Sequence, residues 1–145
     1  MPKRIGMVLV LLAFAAGIAP AADPAEFKVI VNVSNPMESI GAKDLSRLFL
    51  KKDTVWPDGS TVAAVDLPPD SAIREAFSMA VHGRKVVSIK SYWQRQIFAG
   101  KTVPPVERAN QAEVLVFVAL NPAAIGYAGP TTELIDNVKE LKVTD

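Results

Sequence analysis

Two adjoining patterns constrain this chain more than anything else in it. Residues 61–67, TVAAVDL, form a nearly unbroken apolar run, as expected of a strand covered on both faces. After the stop PPDS, Ile73, Ala76, Phe77, Ala80 and Val81 recur at i, i+3, i+4, i+7 and i+8. That period gives an amphipathic helix with one apolar stripe. A strand buried on both sides, followed directly by a helix with one greasy face, calls for helices packed on a sheet. Asp70 or Ser71 is expected to cap this helix and Gly83 to end it.

The rest of the chain repeats the alternation. Residues 27–32, FKVIVN, read as a strand, and VSNP follows as a turn. Leu45, Leu48 and Phe49 mark one face of a helix that starts near Lys43 and ends near Lys51 and Lys52, where cations suit the negative end of the dipole. PDGS is a turn. A third helix covers residues 87–99, stopped by Gly100, with Ile89, Tyr92, Trp93 and Ile97 as its buried stripe. KTVPPVER reads as a loop, residues 111–120 as a fourth helix, and residues 125–128 as a short strand. VKELKV alternates near the end and reads as an edge strand. The expectation is an α/β fold, a single three-layer lobe with a mostly parallel or mixed sheet.

Residues 1–21 stand apart. Lys3 and Arg4 precede an uncharged, mostly apolar stretch from Ile5 to Ile18, and Ala19-Pro20-Ala21 has the small-x-small form of a cleavage site. The run is shorter than the roughly 20 residues a spanning helix needs. The expectation is a signal peptide over 1–21, one domain over 22–145, export to a bacterial periplasm, and no membrane span after cleavage. Losing residues 1–21 removes Lys3 and Arg4 and no acid, leaving 14 basic against 15 acidic residues and a net charge near −1. No basic excess points to nucleic acid. The absence of cysteine excludes disulfide and thiol chemistry, and a single histidine leaves little for a zinc site. No cofactor is expected.

Three stretches, in order, carry a resemblance: AKDLSRLFLKKDTVWPDGSTVAAVDL, DSAIREAF and NPAAIGYAG. Together they resemble the phosphate-type substrate-binding proteins of ABC transporters, which have the type II periplasmic binding fold. The resemblance implies a helix-to-strand connection around Trp56 and Pro57-Asp58-Gly59, with Trp56 as an apolar anchor. It also implies a loop at the start of the 71–83 helix that touches an anion. Ser71 matches the family's serine, whereas Ala72 and Ile73 stand where its glycine and threonine are expected. The family's receptors have two lobes, and this chain has room for one.

The candidate ligand-binding residues are therefore Asp70, Ser71, Ala72 and Arg74. A helix N-terminus offers unpaired N–H groups and about half a positive charge. Ser71 adds a hydroxyl donor, and Arg74 is placed to reach back as a two-pronged oxyanion clamp. Asp70 opposes a dianion. The plainer alternative leaves Asp70 or Ser71 as a cap and Arg74 as a solvated surface residue. His82, before a glycine, is expected to cap a helix or lie on the surface. Ser71 has no evident histidine partner and no metal cluster is visible, so catalytic residues and metal ligands are not assigned and an enzyme is not expected.

Three functions compete on these grounds. The first is a solute-binding protein for phosphate or another oxyanion, working with an ABC permease. The second is an envelope protein–protein interaction module that has lost solute binding. A phosphate-ester hydrolase is the weakest. N-terminal sequencing of protein from a periplasmic extract is expected to find a start within a residue or two of Ala22; a soluble cytoplasmic protein that retains Lys3 is the contrary result.

Overall fold

The computed structural model describes residues 26–145, so the expected signal segment lies outside the described residues. In chain order the elements are strand β1 (Lys28–Asn32), strand β2 (Ser39–Gly41), helix α1 (Ala42–Phe49), strand β3 (Ala63–Asp66) and helix α2 (Ala72–Phe77). A π-helical turn (Ser78–His82), helix α3 (Val86–Phe98) and strand β4 (Val106–Glu107) come next. Helix α4 (Gln111–Leu120), strand β5 (Ala124–Ala128) and strand β6 (Val138–Thr144) complete the fold.

The strands form one six-stranded sheet in the order β2-β6-β1-β5-β3-β4. β1 pairs antiparallel with both β5 and β6, while the β2–β6, β3–β4 and β3–β5 pairs are parallel. The sheet is thus mixed, with β1 alone running against its neighbours. Two strands are additions to the sequence expectation. Ser39–Gly41 joins β6 from outside, which makes β6 an interior strand and corrects its expected edge position. Val106–Glu107, inside the expected loop, forms the opposite edge.

Helices cover both faces, and β5 shows it in two successive residues. Successive strand residues point to opposite faces. Tyr127 faces α1 and α2, stacked on Phe77 with ring centroids 4.0 Å apart and 5.9 Å from Phe49. Gly126 faces α4: a Cβ there would lie 2.8 Å from the Val65 side chain and 3.0 Å from that of Val114. Glycine is what lets α4 sit this close to β3 and β5. α4, apolar on nearly every side, buries Val114, Leu115 and Val118 and leaves Val116 and Leu120 exposed.

Trp56 is the anchor expected of it: buried, with its indole Nε1 donating to the Ala123 carbonyl at 2.9 Å. The turn after it closes through Asp58, whose Oδ1 accepts from the Ser60 amide at 2.9 Å, with Gly59 at φ +86°. Three helical details depart from expectation. The helix begun at Ala72 does not stay α-helical to Gly83 but widens into the π-turn, which leaves Ala80 exposed while Val81 stays buried. Ile97, near the end of α3, is exposed, because α3 packs only through Val86, Ile89 and Trp93. Tyr92 is half-buried, with its hydroxyl donating to the Leu50 carbonyl at 2.9 Å.

Phe77 packs against Phe27, Phe49 and Tyr127 at the centre of this face. Phe77→Ala is expected to cost about 3–5 kcal/mol in urea unfolding, the usual range for a buried phenylalanine. A loss below about 1 kcal/mol is the contrary result.

Candidate functional site

The site is built where the chain leaves β3. Asp66 is the last residue of that strand, and residues 67–71 lead to α2. Ser71, rather than Asp70, is the cap: its backbone is extended and its Oγ accepts from the Arg74 amide at 3.2 Å. The Ser71 hydroxyl hydrogen stays available to donate outward. The amides of Ala72 and Ile73 find no acceptor among the described residues, so they are the open donors of the first turn. Asp70 and Ala72 are exposed beside Ser71. These three form one exposed corner at the carboxyl end of β3.

A second helix start borders that corner. Gln111, the first residue of α4, accepts through Oε1 from the Gly129 amide at 2.8 Å and from the Thr132 hydroxyl. Gly129 follows β5 directly, and a Cβ there would lie 3.1 Å from that Gln111 oxygen and 3.5 Å from Ile73 Cδ1. Side chains from the first turns of α2 (Ile73) and α4 (Gln111), helices on opposite faces of the sheet, therefore reach one glycine at the carboxyl ends of β3 and β5. In open α/β sheets ligands settle in that kind of crevice.

Arg74 departs from both sequence readings. It is neither an outward clamp nor solvated. Its side chain is 6% exposed, and Nη1 donates to the Leu67 carbonyl at 2.8 Å and to Glu107 Oε2 at 3.1 Å. Nη2 lies 3.8 Å from Asp66 Oδ2. The Asp66 Oδ1 atom accepts from the Tyr127 hydroxyl at 2.7 Å, and that hydroxyl in turn accepts from the Leu67 amide at 3.3 Å. Burial pushes the Asp66 carboxyl above its usual range; the Arg74 charge and the Tyr127 hydrogen bond pull the other way. The Tyr127 phenol is pushed well above its ordinary value by burial and by the Asp66 charge, so it remains a donor. The physical reason for Arg74's inward course is Asp66: a buried carboxylate needs a partner. The free space between Arg74, Asp66, Phe49, Phe77 and Trp93 is about 10 Å³, which is not room for an anion.

Glu107, Tyr127, Gln111 and Gly129 were missed from sequence. Glu107 and Gln111 carry no local signal; Tyr127 and Gly129 lie in NPAAIGYAG, one of the stretches that carry the resemblance, but only the sheet brings them to the loop.

His82 also departs from expectation. It is half-buried, its ring stands edge-on to Phe77 at 5.7 Å, and Nδ1 shares a hydrogen bond of 2.7 Å with Ser46 Oγ. Burial, then the charges of Arg74, Arg84 and Lys52, lower its pKa to about 4. At neutral pH it is uncharged and serves no helix dipole. Ser46 and His82 have the contact of a nucleophile and base, but the charges around the ring are cations and no carboxylate among the described residues orients it, so it is a poor base near pH 7.

Comparison with solved structures gives the fold its relatives. A candidate phosphate ABC transporter substrate-binding protein from Clostridium perfringens, holding phosphate, is 22% identical with a TM-score of 0.64, over 81% of this chain and 44% of its own. A phosphate transport receptor of the ABC type from Vibrio cholerae is 16% identical with a TM-score of 0.64, over 81% of this chain and 46% of its own. PstS from Borrelia burgdorferi is 16% identical with a TM-score of 0.58, over 81% and 47%. The chain thus shares its fold with part of phosphate ABC transporter substrate-binding proteins and spans less than half of their length. These neighbours are binding proteins rather than enzymes. No family model and no curated protein matches the sequence.

His82 also sets an expectation for pH. The unfolded ring takes up a proton near pH 6.5 and the folded ring only near pH 4, so the unfolded state binds more protons in between. Stability is full above about pH 6.5 and falls as pH drops toward 4, by on the order of 3 kcal/mol. Asp66, with its raised pKa, contributes with the opposite sign above the usual carboxylate range. Urea unfolding across this window, with wild type and His82→Gln compared, isolates the histidine: the variant is expected to lose the decline, and an unchanged profile is the contrary result.

Proposed function

We propose that this chain is an exported, non-catalytic solute-binding lobe that holds an oxyanion, phosphate foremost, weakly at the corner formed by Asp70, Ser71 and Ala72. The observation that carries the reading is the meeting of the α2 and α4 N-termini across Gly129 at the carboxyl ends of β3 and β5. Two positive helix ends and the open Ala72 and Ile73 amides favour an anion. The Ser71 hydroxyl donates, and Asp70 limits affinity for a dianion. While Glu107 is paired with it, Arg74 acts behind the corner as an internal strut and not as an outward clamp. The fold neighbours that carry phosphate in their descriptions support the choice of ligand. In this reading residues 22–145 are the exported domain, cleaved after Ala21, and an ABC permease or another envelope protein is the partner that receives or completes the site.

One observation favours a second reading, a protein–protein module without solute binding. Arg74 is already matched by Asp66 and Glu107, so the region beneath the corner carries no excess positive charge.

Isothermal titration of the mature protein with phosphate separates the two. The one-walled site is expected to bind with a dissociation constant in about the micromolar-to-millimolar range. At one hundred times that constant, phosphate stabilises the fold by about 2.7 kcal/mol. Asp70→Asn is expected to tighten binding by removing the opposing charge. No heat and no thermal shift at tens of millimolar phosphate overturns the solute reading in favour of the module.

A further inference from the structure

The three partners of Arg74 are not equivalent. The Leu67 carbonyl belongs to a buried residue at the end of β3, and the Asp66 side chain is 10% exposed. Glu107 is different. Its side chain is 48% exposed, and it sits on a two-residue strand at the outer edge of the sheet. Glu107 can therefore swing into water without leaving a buried group of its own unpaired. Arg74 would keep Asp66 and the Leu67 carbonyl, and the Nη1 hydrogen now given to Glu107 would become free.

Resting on the oxyanion reading above, we infer that Glu107 is a tethered stand-in for the ligand: its carboxylate occupies the position on Arg74 that an oxyanion of the phosphate class takes when Glu107 moves aside. Carboxylate and phosphate oxygens meet a guanidinium through the same charge-assisted geometry. The cavity on the inner side of Arg74, about 10 Å³, admits no anion, so approach is through the place Glu107 holds. A tethered group competes at high effective concentration. Glu107, the half-exposed partner of a buried arginine, can be rehydrated as it leaves, which favours its displacement over that of Asp66. Glu107 thus sets the affinity of the site: it repels dianions while in place and uncovers a buried cation when it leaves. Asp66 keeps the guanidinium compensated in either state.

The test compares wild type, Glu107→Gln and Glu107→Ala by titration with inorganic phosphate, after a thermal melt without phosphate shows each variant folded. Both variants are expected to bind phosphate at least about fivefold more tightly than wild type, from loss of competition and of one repelling charge. In Glu107→Gln, the Arg74 side-chain Nε–H resonance is expected to move on addition of phosphate. Variants that bind no tighter than a wild type that does bind overturn this inference and leave the oxyanion reading standing. A variant that binds where wild type does not supports the inference while removing the unmodified chain as a receptor. Tighter binding with an unmoved Arg74 resonance places the anion elsewhere and overturns the displacement. Silence from all three proteins at tens of millimolar phosphate overturns both.

Discussion

Arg74 ties four elements together at one buried point. It projects from α2, accepts the company of Asp66 and the Leu67 carbonyl at the end of β3, reaches Glu107 on β4, and meets β5 through the Tyr127–Asp66 hydrogen bond. Burying a carboxylate is costly unless it is paired and hydrogen-bonded. Asp66 is both, and the cost of losing Arg74 would be an uncompensated charge in the interior. The arginine is therefore a requirement of the fold before it is anything to a ligand. It fixes the direction in which α2 leaves the sheet, and with it the position of Ser71, Ala72 and Asp70.

Tyr127 joins this polar point to the apolar core. Its ring stacks nearly parallel on Phe77, with an interplanar angle of 6°, and its hydroxyl faces Asp66. Phe27, Phe49 and His82 close around the same Phe77 ring. Such aromatic contacts add to the stabilisation from burial alone. A shift of α2 would disturb the stack and the ion network together. The corner that offers open amides is thus carried by a rigid base, as a binding site needs, although the corner itself is exposed.

The fold class and most local patterns are legible in the chain, whereas the ends of two helical stripes, at Ala80 and Ile97, and the pairing of distant side chains are not. The stripe of Leu45, Leu48 and Phe49, the bounds of α4 at Gln111 and Leu120, and the anchoring of Trp56 all follow from spacing or residue type within one turn or one connection. β2 and β4 are three and two residues long, too short for any period, and exist because β6 and β3 offer them pairing partners. β6 looked like an edge because alternation reports which faces are buried and says nothing of neighbours in the sheet. Arg74 was misplaced for a related reason. Asp66 is legible as the end of a buried strand next to the Ser71 loop, but nothing along the helix signals that Arg74 turns in to pair with it and with Glu107, 33 residues away. His82 looked like a charged cap because its burial comes from packing against Phe77 and α1.

Under the proposed oxyanion reading, the corner works through affinity and not through chemistry. Ser71 has its oxygen committed to a helix cap, and His82 is neutral, weakly basic and paired with Ser46. What remains at the carboxyl edge is a set of fixed dipoles and charges: two helix starts, open amides, and an arginine balanced by two carboxylates. Sites that hold small ligands tightly bury most of the ligand surface. One lobe supplies one wall, and the described part of this chain spans less than half of its solved relatives. In that reading this wall, with its cation internally balanced, would hold an anion loosely without a facing surface. It gains most when a facing surface excludes water, because the same dipoles and charges act more strongly in a lower dielectric. On the inference drawn for Glu107, its competition with an anion at Arg74 would then turn on what closes over the corner.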